Sequence, residues 1–369
     1  VPNSPSLDQH LALTHIVPTL PPAIDGLGDY ADLLSRQLQS RHGVTARFLV
    51  ADQQWAGVRT GVERLGERTA AALEQQLSRL GPPAVDHVAI LHFVNYAYDG
   101  RRGIPHWLTA GLERWKAASA RHRLATIFHE LYATSWPWRK AFWYSAFQQR
   151  LAARLCRGSE VAFTSLDAYK RWITAHRPAQ LASCQVFPVP SNVGEPVTVP
   201  PLDARQPWLA IFGQAPSRSR LYRRNLPRLA DLCTRLGVRE IHDIGAPISA
   251  CPRQVGQVDV HVHGKLPREE ISQLLVGSRF GLIDNHGGRL AKSGVFAAYC
   301  SHGLMPITET DYPAEDGLVT GETMISMDRT PDDPQRLSSA ARAWYLGHAS
   351  DALADALAAS LRAMLTAAR

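Results

Sequence analysis

The run Phe280-Gly-Leu-Ile-Asp284-Asn-His-Gly287-Gly288-Arg289-Leu-Ala-Lys292-Ser293-Gly294-Val-Phe-Ala-Ala298 changes character twice within a few residues. An apolar, β-prone stretch ends at Asp284, a glycine-rich turn carries Arg289 and Lys292, and Ser293-Gly294 opens an apolar helix. Strand, glycine turn and helix in that order form a β-α unit whose turn can hold an anion. Backbone donors, a helix N-terminus, a hydroxyl and two cations are the ingredients of a diphosphate cradle. The run is no Walker A loop, since Lys precedes Ser and the glycine spacing differs. An N-capped helix after a flexible loop is the plainer alternative.

The same alternation extends outward in both directions. Upstream of residue 200, apolar runs at Leu11–Val17, Ala46–Val50, Val85–Val94, Leu124–Phe128, Val161–Thr164 and Gln185–Val189 read as strands. Helix-patterned segments near 29–41, 62–80, 106–121, 139–156 and 166–176 separate them. Seven Pro and Gly residues between Pro188 and Pro207 then break both helix and ladder and mark a linker. Beyond it, Leu209–Phe212, Glu240–Ile244, Val258–Val262, Phe280–Asp284 and Met305–Ile307 read as strands, with helices near 225–237, 267–277 and 292–302. Such alternation predicts parallel sheets covered by helices on both faces. The expected organisation is a Rossmann-like unit over 1–198, a second over 199–337, and an Ala- and Leu-rich helical segment over 338–369. Two such units present two strand-end crevices, where ligands of these sheets bind.

Composition narrows the class. A chain of 369 residues, 45% hydrophobic and 20% charged, can bury two cores. The formal charge is +7, and 35 of the 40 basic residues are Arg. Arg forks hold planar oxyanions, although a GC-rich genome would produce the same bias. Five scattered cysteines without a C-x-x-C pair point to reduced thiols and away from structural zinc. No run of about 18 apolar residues is present, so no membrane span is expected, and Val1 to His10 lacks the pattern of a signal peptide.

Three further constellations carry candidate chemistry. Asp25-Gly26-Leu-Gly28-Asp29-Tyr30 follows the first strand and brings backbone close to a ligand or simply makes a strand-helix turn. The third glycine of a dinucleotide fingerprint is missing, and Asp29 would repel a pyrophosphate. Gln214 to Asn225 holds Arg218, Arg220, Arg223 and Arg224 with no acid among them, either a phosphate clamp or a solvated face. Phe128-His129-Glu130 ends a strand, where an imidazole can bond a sugar hydroxyl. The aromatics from Tyr132 to Tyr144, with Arg139 and Lys140 among them, stack on sugars, lie at a lipid interface or pack into the core.

Taken in order, these pieces resemble a GT-B-type glycosyltransferase related to glycosyltransferase family 4, over nearly the whole chain. The resemblance rests on Gly26-Leu-Gly28-Asp29-Tyr30-Ala, on Phe128-His129-Glu130-Leu-Tyr132 and on Val262-His263-Gly264-Lys265-Leu266-Pro267 with Glu269 and Ile271. It also rests on Lys292-Ser293-Gly294 leading to Ala298 and His302-Gly303-Leu-Met-Pro306. It implies an α/β, GT-B-like fold with two Rossmann-like domains facing a cleft. Gly26, Gly28 and Asp29 would then approach the donor diphosphate and His129 would touch the donor sugar, while Glu130 beside it would orient an acceptor hydroxyl or simply cap the next helix. Gln214 and the arginines after it, Arg218 and Arg223 foremost, would meet the phosphates together with Lys292, Ser293 and Gly294. Lys265 and Leu266 would border the base. Asn95, Trp136, Trp138 and Arg139 would lie on the acceptor side or, for the aromatics, on a membrane surface. The closing helix would cross back to the first domain.

In one respect the chain departs from that family. Many members carry two glutamates eight positions apart, where this sequence has Leu290 and Ala298. The family further implies retention of anomeric configuration, a UDP- or GDP-sugar as donor substrate, and neither a metal nor another cofactor. The acceptor would be a sugar, a lipid-linked sugar or a small molecule. A cytoplasmic bacterial enzyme, or one peripheral at the inner face of the membrane, is the matching location. A nucleotide-sugar epimerase of the same fold and a non-catalytic nucleotide-sugar-binding protein are the alternatives. Nucleic acid is not an expected partner, because the basic residues follow strand ends and no RNA- or DNA-binding motif is present.

Overall fold

A computed structural model describes residues 11–23, 26–82, 84–182, 184–249, 251–284 and 289–367. The chain divides into two compact units, residues 1–187 with 350–369, and residues 188–349.

Unit 1 is a seven-stranded parallel sheet of β1 (Leu11–Val17), β2 (Ala46–Val50), β3 (Val62–Arg64), β4 (Asp86–Phe93), β5 (His122–Phe128), β6 (Val161–Thr164) and β7 (Gln185–Val186). The strand order is β3-β2-β1-β4-β5-β6-β7. Between the strands run α1 (Gly26–His42), α2 (Ala70–Leu80), the single turn α3 (Asn95–Tyr98), α4 (His106–Ala118), α5 (Lys140–Gly158) and α6 (Asp167–Ala175). Every residue of β4 after Asp86 is buried. A central strand covered on both faces needs such a continuous apolar run, which is why periodicity alone located it. The closing helix, Ser350–Thr366, belongs to this unit. It packs on α1, where Arg41 and His42 share the Asp355 carboxylate at 2.6 and 2.8 Å.

Unit 2 repeats the plan with β8 (Gln206–Phe212), α7 (Ala215–Leu236), β9 (Glu240–Ile244), β10 (Gln254–Val255), β11 (Val258–Gly264), α8 (Arg268–Gly277), β12 (Ser278–Ile283), α9 (Gly294–Ser301), β13 (Met305–Thr308), β14 (Ile325–Ser326) and α10 (Pro334–Leu346). The order is β10-β11-β9-β8-β12-β13-β14, with only β10 antiparallel to its neighbour.

Several boundaries differ from the sequence reading for physical reasons. The segment 62–80 is not one helix: Val62 pairs with Phe48 at a sheet edge, and the helix starts only after Thr69, whose hydroxyl accepts from Ala72 N at 3.2 Å. The unit boundary lies at 187/188 rather than 198/199. Residues after it are fastened into unit 2, where Val189 N donates to Ala291 O at 2.8 Å and the Tyr345 hydroxyl bonds both Ser191 N and Glu195. The segment read as one helix from 338 onward is two, Pro334–Leu346 and Ser350–Thr366, and the first of them, α10, stays in unit 2.

Candidate active site

In unit 1 the strand order reverses between β1 and β4, which opens a crevice at their carboxyl ends. Beside it runs a stack of three histidines on one face of the sheet. His15 is in register with Ile90, two residues before His92; His92 is in register with Ile127, two residues before His129. Each step therefore moves one strand over and two residues towards the crevice. His15 Nδ1 lies 2.8 Å from His92 Nε2, and His92 Nδ1 lies 3.4 Å from His129 Nε2. Tyr30 of α1 sets its ring edge-on against His129, with centroids 4.7 Å apart.

Burial holds the inner two rings neutral. Desolvation pushes His15 down to about 3, against an opposing pull from Asp32, and pushes His92 well below the usual histidine range. The direction of the hydrogen bonds follows from His15 Nε2, which is buried and finds no partner. An orphaned buried N–H costs about 1–3 kcal/mol, while an orphaned lone pair is tolerated better. The cheaper arrangement puts the proton on Nδ1 of all three rings. His15 then donates to His92, His92 donates to His129 Nε2, and the proton of His129 sits on Nδ1. Phe93 O fixes the rim of the crevice by accepting from His129 N at 3.0 Å and Glu130 N at 3.3 Å.

Of the two glycines after β1, Gly28 is held by packing, whereas a Cβ on Gly26 would meet open space. Gly26 and Gly28 already lie in the first turn of α1, and a Cβ on Gly28 would sit 2.6 Å from Thr19 O. Asp29 occupies the same turn, where a carboxylate complements the helix dipole. Asp25 lies outside the described residues. Asn95 is buried, with Oδ1 accepting from Tyr96 N at 2.9 Å and Nδ2 without a hydrogen-bond partner. Trp136, Trp138 and Arg139 are instead exposed, on the turn before α5.

In unit 2 the order reverses between β8 and β12. Three adjacent strand ends turn on glycines with positive φ: Gly213 after β8, Gly245 after β9 and Gly264 ending β11. Gly213 N donates to Ile244 O at 3.2 Å and Gly245 N to Gly264 O at 2.9 Å. A Cβ on Gly245 would lie 2.4 Å from Gly213 O, so only glycine fits. A Cβ on Gly213 would come within 3.3 Å of Val295, in the first turn of α9. The N-termini of α7 and α9 thus start beside each other at the reversal point. Gln214 caps α7 without a side-chain bond, while the Ser293 hydroxyl accepts from Phe296 N at 3.2 Å and keeps its own proton to donate. Lys292 ends a one-turn 3₁₀ helix next to Ser293, and Lys265 is exposed just past β11. Leu266 is half-buried and packs on the unit core.

The arginine run is corrected by the structure, because it is helical from Ala215 onward. Arg218 is fully buried. It pairs with Asp243, donates to Gly213 O at 3.0 Å and bonds Ala246 O, while Tyr222 donates to the other Asp243 oxygen at 3.1 Å. It ties the ends of β8 and β9 together with three of its five N–H donors and is sealed from solvent. Arg223 is exposed about 12 Å along α7 from its first residue, on the face opposite the buried stripe. Arg220, one of the four arginines of the run but not one of the two favoured from the sequence, reaches the reversal point and pairs with Asp284 at 2.6 Å. Leu290 and Ala298, at the two glutamate positions of the resembling family, are sealed in the unit core. Residues 285–288, the glycine-rich turn, lie outside the described residues.

No protein-family model matches the chain, and no curated protein matches it by sequence. Solved structures do match in shape. The chain aligns with the GtfA/B complex at a TM-score of 0.62 and 11% identity, over 96% of this chain and 99% of that one. It aligns with Anabaena HepE in complex with UDP-glucose at 0.59 and 12%, over 95% and 99%. A putative UDP-N-acetylglucosamine 2-epimerase from Listeria monocytogenes aligns at 0.60 and 11%, over 96% of each chain. At these identities the likeness is one of architecture, and it shows that the chain has the GT-B fold.

Proposed function

We propose that this protein is a glycosyltransferase of the family 4 type that moves a hexose from a nucleoside-diphosphate sugar to an acceptor hydroxyl with retention of configuration. The observation that carries the reading is the β8/β12 reversal in unit 2, where a glycine turn and two helix N-termini meet near Lys292 and Arg220. Fixed backbone donors and cations so placed stabilise charge as it develops on a leaving diphosphate, and they do so without a metal ion. UDP or GDP is the favoured nucleoside diphosphate, and the UDP-glucose bound by the HepE neighbour supports the first.

In the transfer, the bond between the anomeric carbon and the diphosphate oxygen breaks. The acceptor oxygen bonds the same face of the sugar, and its proton passes to the departing diphosphate. The protein then has to position the reactants more than to supply a strong base. His129 offers Nδ1–H to a sugar hydroxyl, and Glu130 orients the acceptor. Thermal-shift measurements with UDP, GDP, ADP and dTDP test the donor site first. A nucleotide at 100 times its dissociation constant stabilises the fold by about 2.7 kcal/mol. Hydrolysis and transfer are then assayed with sugars of the nucleotide that binds. Stabilisation by none of the four would sink the proposal, and interconversion of the sugar without transfer would favour an epimerase.

A further inference from the structure

The strand-end sites leave one surface of unit 1 unused. The first two turns of α5, residues 140–147, contain no buried side chain, although the rest of that helix packs on the sheet through Gln148, Leu151, Ala152, Leu155 and Cys156. On this overhang and the turn before it, Trp136, Trp138 and Trp143 are 67, 74 and 68% exposed, with Phe142 and Phe147 open beside them. Trp136 and Trp138 stack with centroids 5.1 Å apart and planes within 7°. Isolated apolar side chains on a surface need no explanation, but five large aromatics grouped on one turn and one helix end do.

The chain segment that carries them has charge of one sign, and Glu113 of α4, the acid against its far end, is taken up by Arg154 at 2.5 Å. From Leu131 to Ser159 the chain has no Asp or Glu, while Arg139, Lys140 and Arg150 are exposed there. The Arg150 guanidinium lies over the Phe147 ring at 5.7 Å. Gln148 draws a second basic segment alongside: its Nε2 donates to Arg102 O and its Oε1 accepts from Ala133 N, each at 2.7 Å. Arg101 and Arg102 are exposed as well. The neighbouring acid, Asp99, is turned inward onto the backbone N–H groups of Arg101 and Ile104 at 3.1 and 3.0 Å.

We infer that this overhang, Trp136 to Phe147 with its flanking arginines, docks the protein on an anionic phospholipid surface. Indole rings settle at the headgroup level of a bilayer, and basic side chains around them are drawn to negative lipid. No described helix is long and apolar enough to cross a membrane, so the contact is peripheral. A protein partner would have to cover five aromatics and at the same time match an acid-free segment, whereas an anionic bilayer meets both conditions. The inference does not depend on the transfer chemistry and can fail or stand separately from it.

The test is flotation of the full chain with phosphatidylglycerol-containing vesicles and with vesicles of phosphatidylcholine alone. Binding is expected only to the first, and it should fall by at least about tenfold between 0.1 and 1 M salt, where the Debye length shrinks from about 10 to 3 Å. The pair Trp138→Ser with Trp143→Ser, and separately Arg139→Glu with Lys140→Glu, should each lower the partition coefficient at least about tenfold without moving the thermal midpoint. Equal binding to both vesicle types, or binding that neither pair weakens, would overturn the inference. So would sedimentation showing a wild-type dimer that the Trp pair converts to monomer, since the patch would then bind a second copy.

Discussion

His92, on β4, and His129, just past the end of the adjacent β5, have their rings 5.6 Å apart and within 17° of parallel, and Nδ1 of the first faces Nε2 of the second at 3.4 Å. The inner ring therefore sets the tautomer of the outer one. His92→Phe keeps the ring and its stacking but removes the N–H that His129 accepts, so His129 is free to carry its proton on either nitrogen. Transfer is expected to slow by about tenfold, the lower end of what a misplaced positioning group costs. Nucleotide affinity measured by thermal shift should not change. Unaltered turnover in the variant would show that the stack is packing alone.

Acid should destabilise unit 1 in a defined window. Burial lowers His15 to about 3, His87 to about 4 and His92 well below its ordinary value. In the unfolded chain each of them takes a proton near pH 6.5. Below that pH the unfolded state binds more protons, so stability falls as pH falls, by about 1.4 kcal/mol per pH unit for each group. The loss starts near pH 6.5 and continues to about pH 4, where His87 begins to protonate in place. Denaturant midpoints measured from pH 7 to 4.5 should drop throughout, and His87→Gln should flatten the slope.

Much of the fold was legible because a covered parallel sheet writes itself as apolar runs. β1, β2, β6 and β9 begin and end where those runs do. What the sequence does not display is register. His15 and His92 sit inside strands like any core residue, and only the two-residue offset between neighbouring strands brings them into line with His129. The arginine run misled for a similar reason. The run is helical with 218, 222 and 225 on its buried side, so one guanidinium is turned into the core and Arg223 into solvent, while the half-buried Arg220 reaches Asp284. The aromatic segment was ambiguous until exposure separated core from surface.

Arg218 is expected to matter for folding and not for ligand binding. Removing one partner of a buried ion pair leaves the other charged and uncompensated, which costs about 3–5 kcal/mol. Arg218→Met should lower the chemical-denaturation free energy by that amount, while Arg218→Met with Asp243→Leu recovers much of it. A variant that keeps its stability and loses nucleotide binding would return Arg218 to the phosphates.

Lys292, at the proposed diphosphate site, and Arg223, away from it, give a paired test. Lys292→Ala should weaken nucleoside-diphosphate binding by about 1–3 kcal/mol, the range for a hydrogen bond to a charged group. Arg223→Ala, on the exposed face of α7, should change it by less than about 0.5 kcal/mol, as surface substitutions do. Equal losses in the two variants, read by calorimetry, would mean that the cradle extends along α7 and not across the β8/β12 reversal.

His129 itself allows the sharpest discrimination, because the stack predicts which of its nitrogens works. If His15 and His92 hand their protons outward, His129 accepts at Nε2 and donates at Nδ1. The side-chain N–H of asparagine falls near the place of Nδ1, whereas that of glutamine falls near Nε2. His129→Ala should lower turnover by about 100-fold, the size of effect that misplacing a reactant can produce, with nucleotide affinity altered by less than about 1 kcal/mol. His129→Asn should then recover part of the rate and His129→Gln should not. Recovery by glutamine alone would reverse the tautomer and require the orphaned nitrogen of His15 to carry a buried, unbonded proton. Full activity in the alanine variant would remove His129 from the chemistry and leave it as the rim of a packed histidine stack.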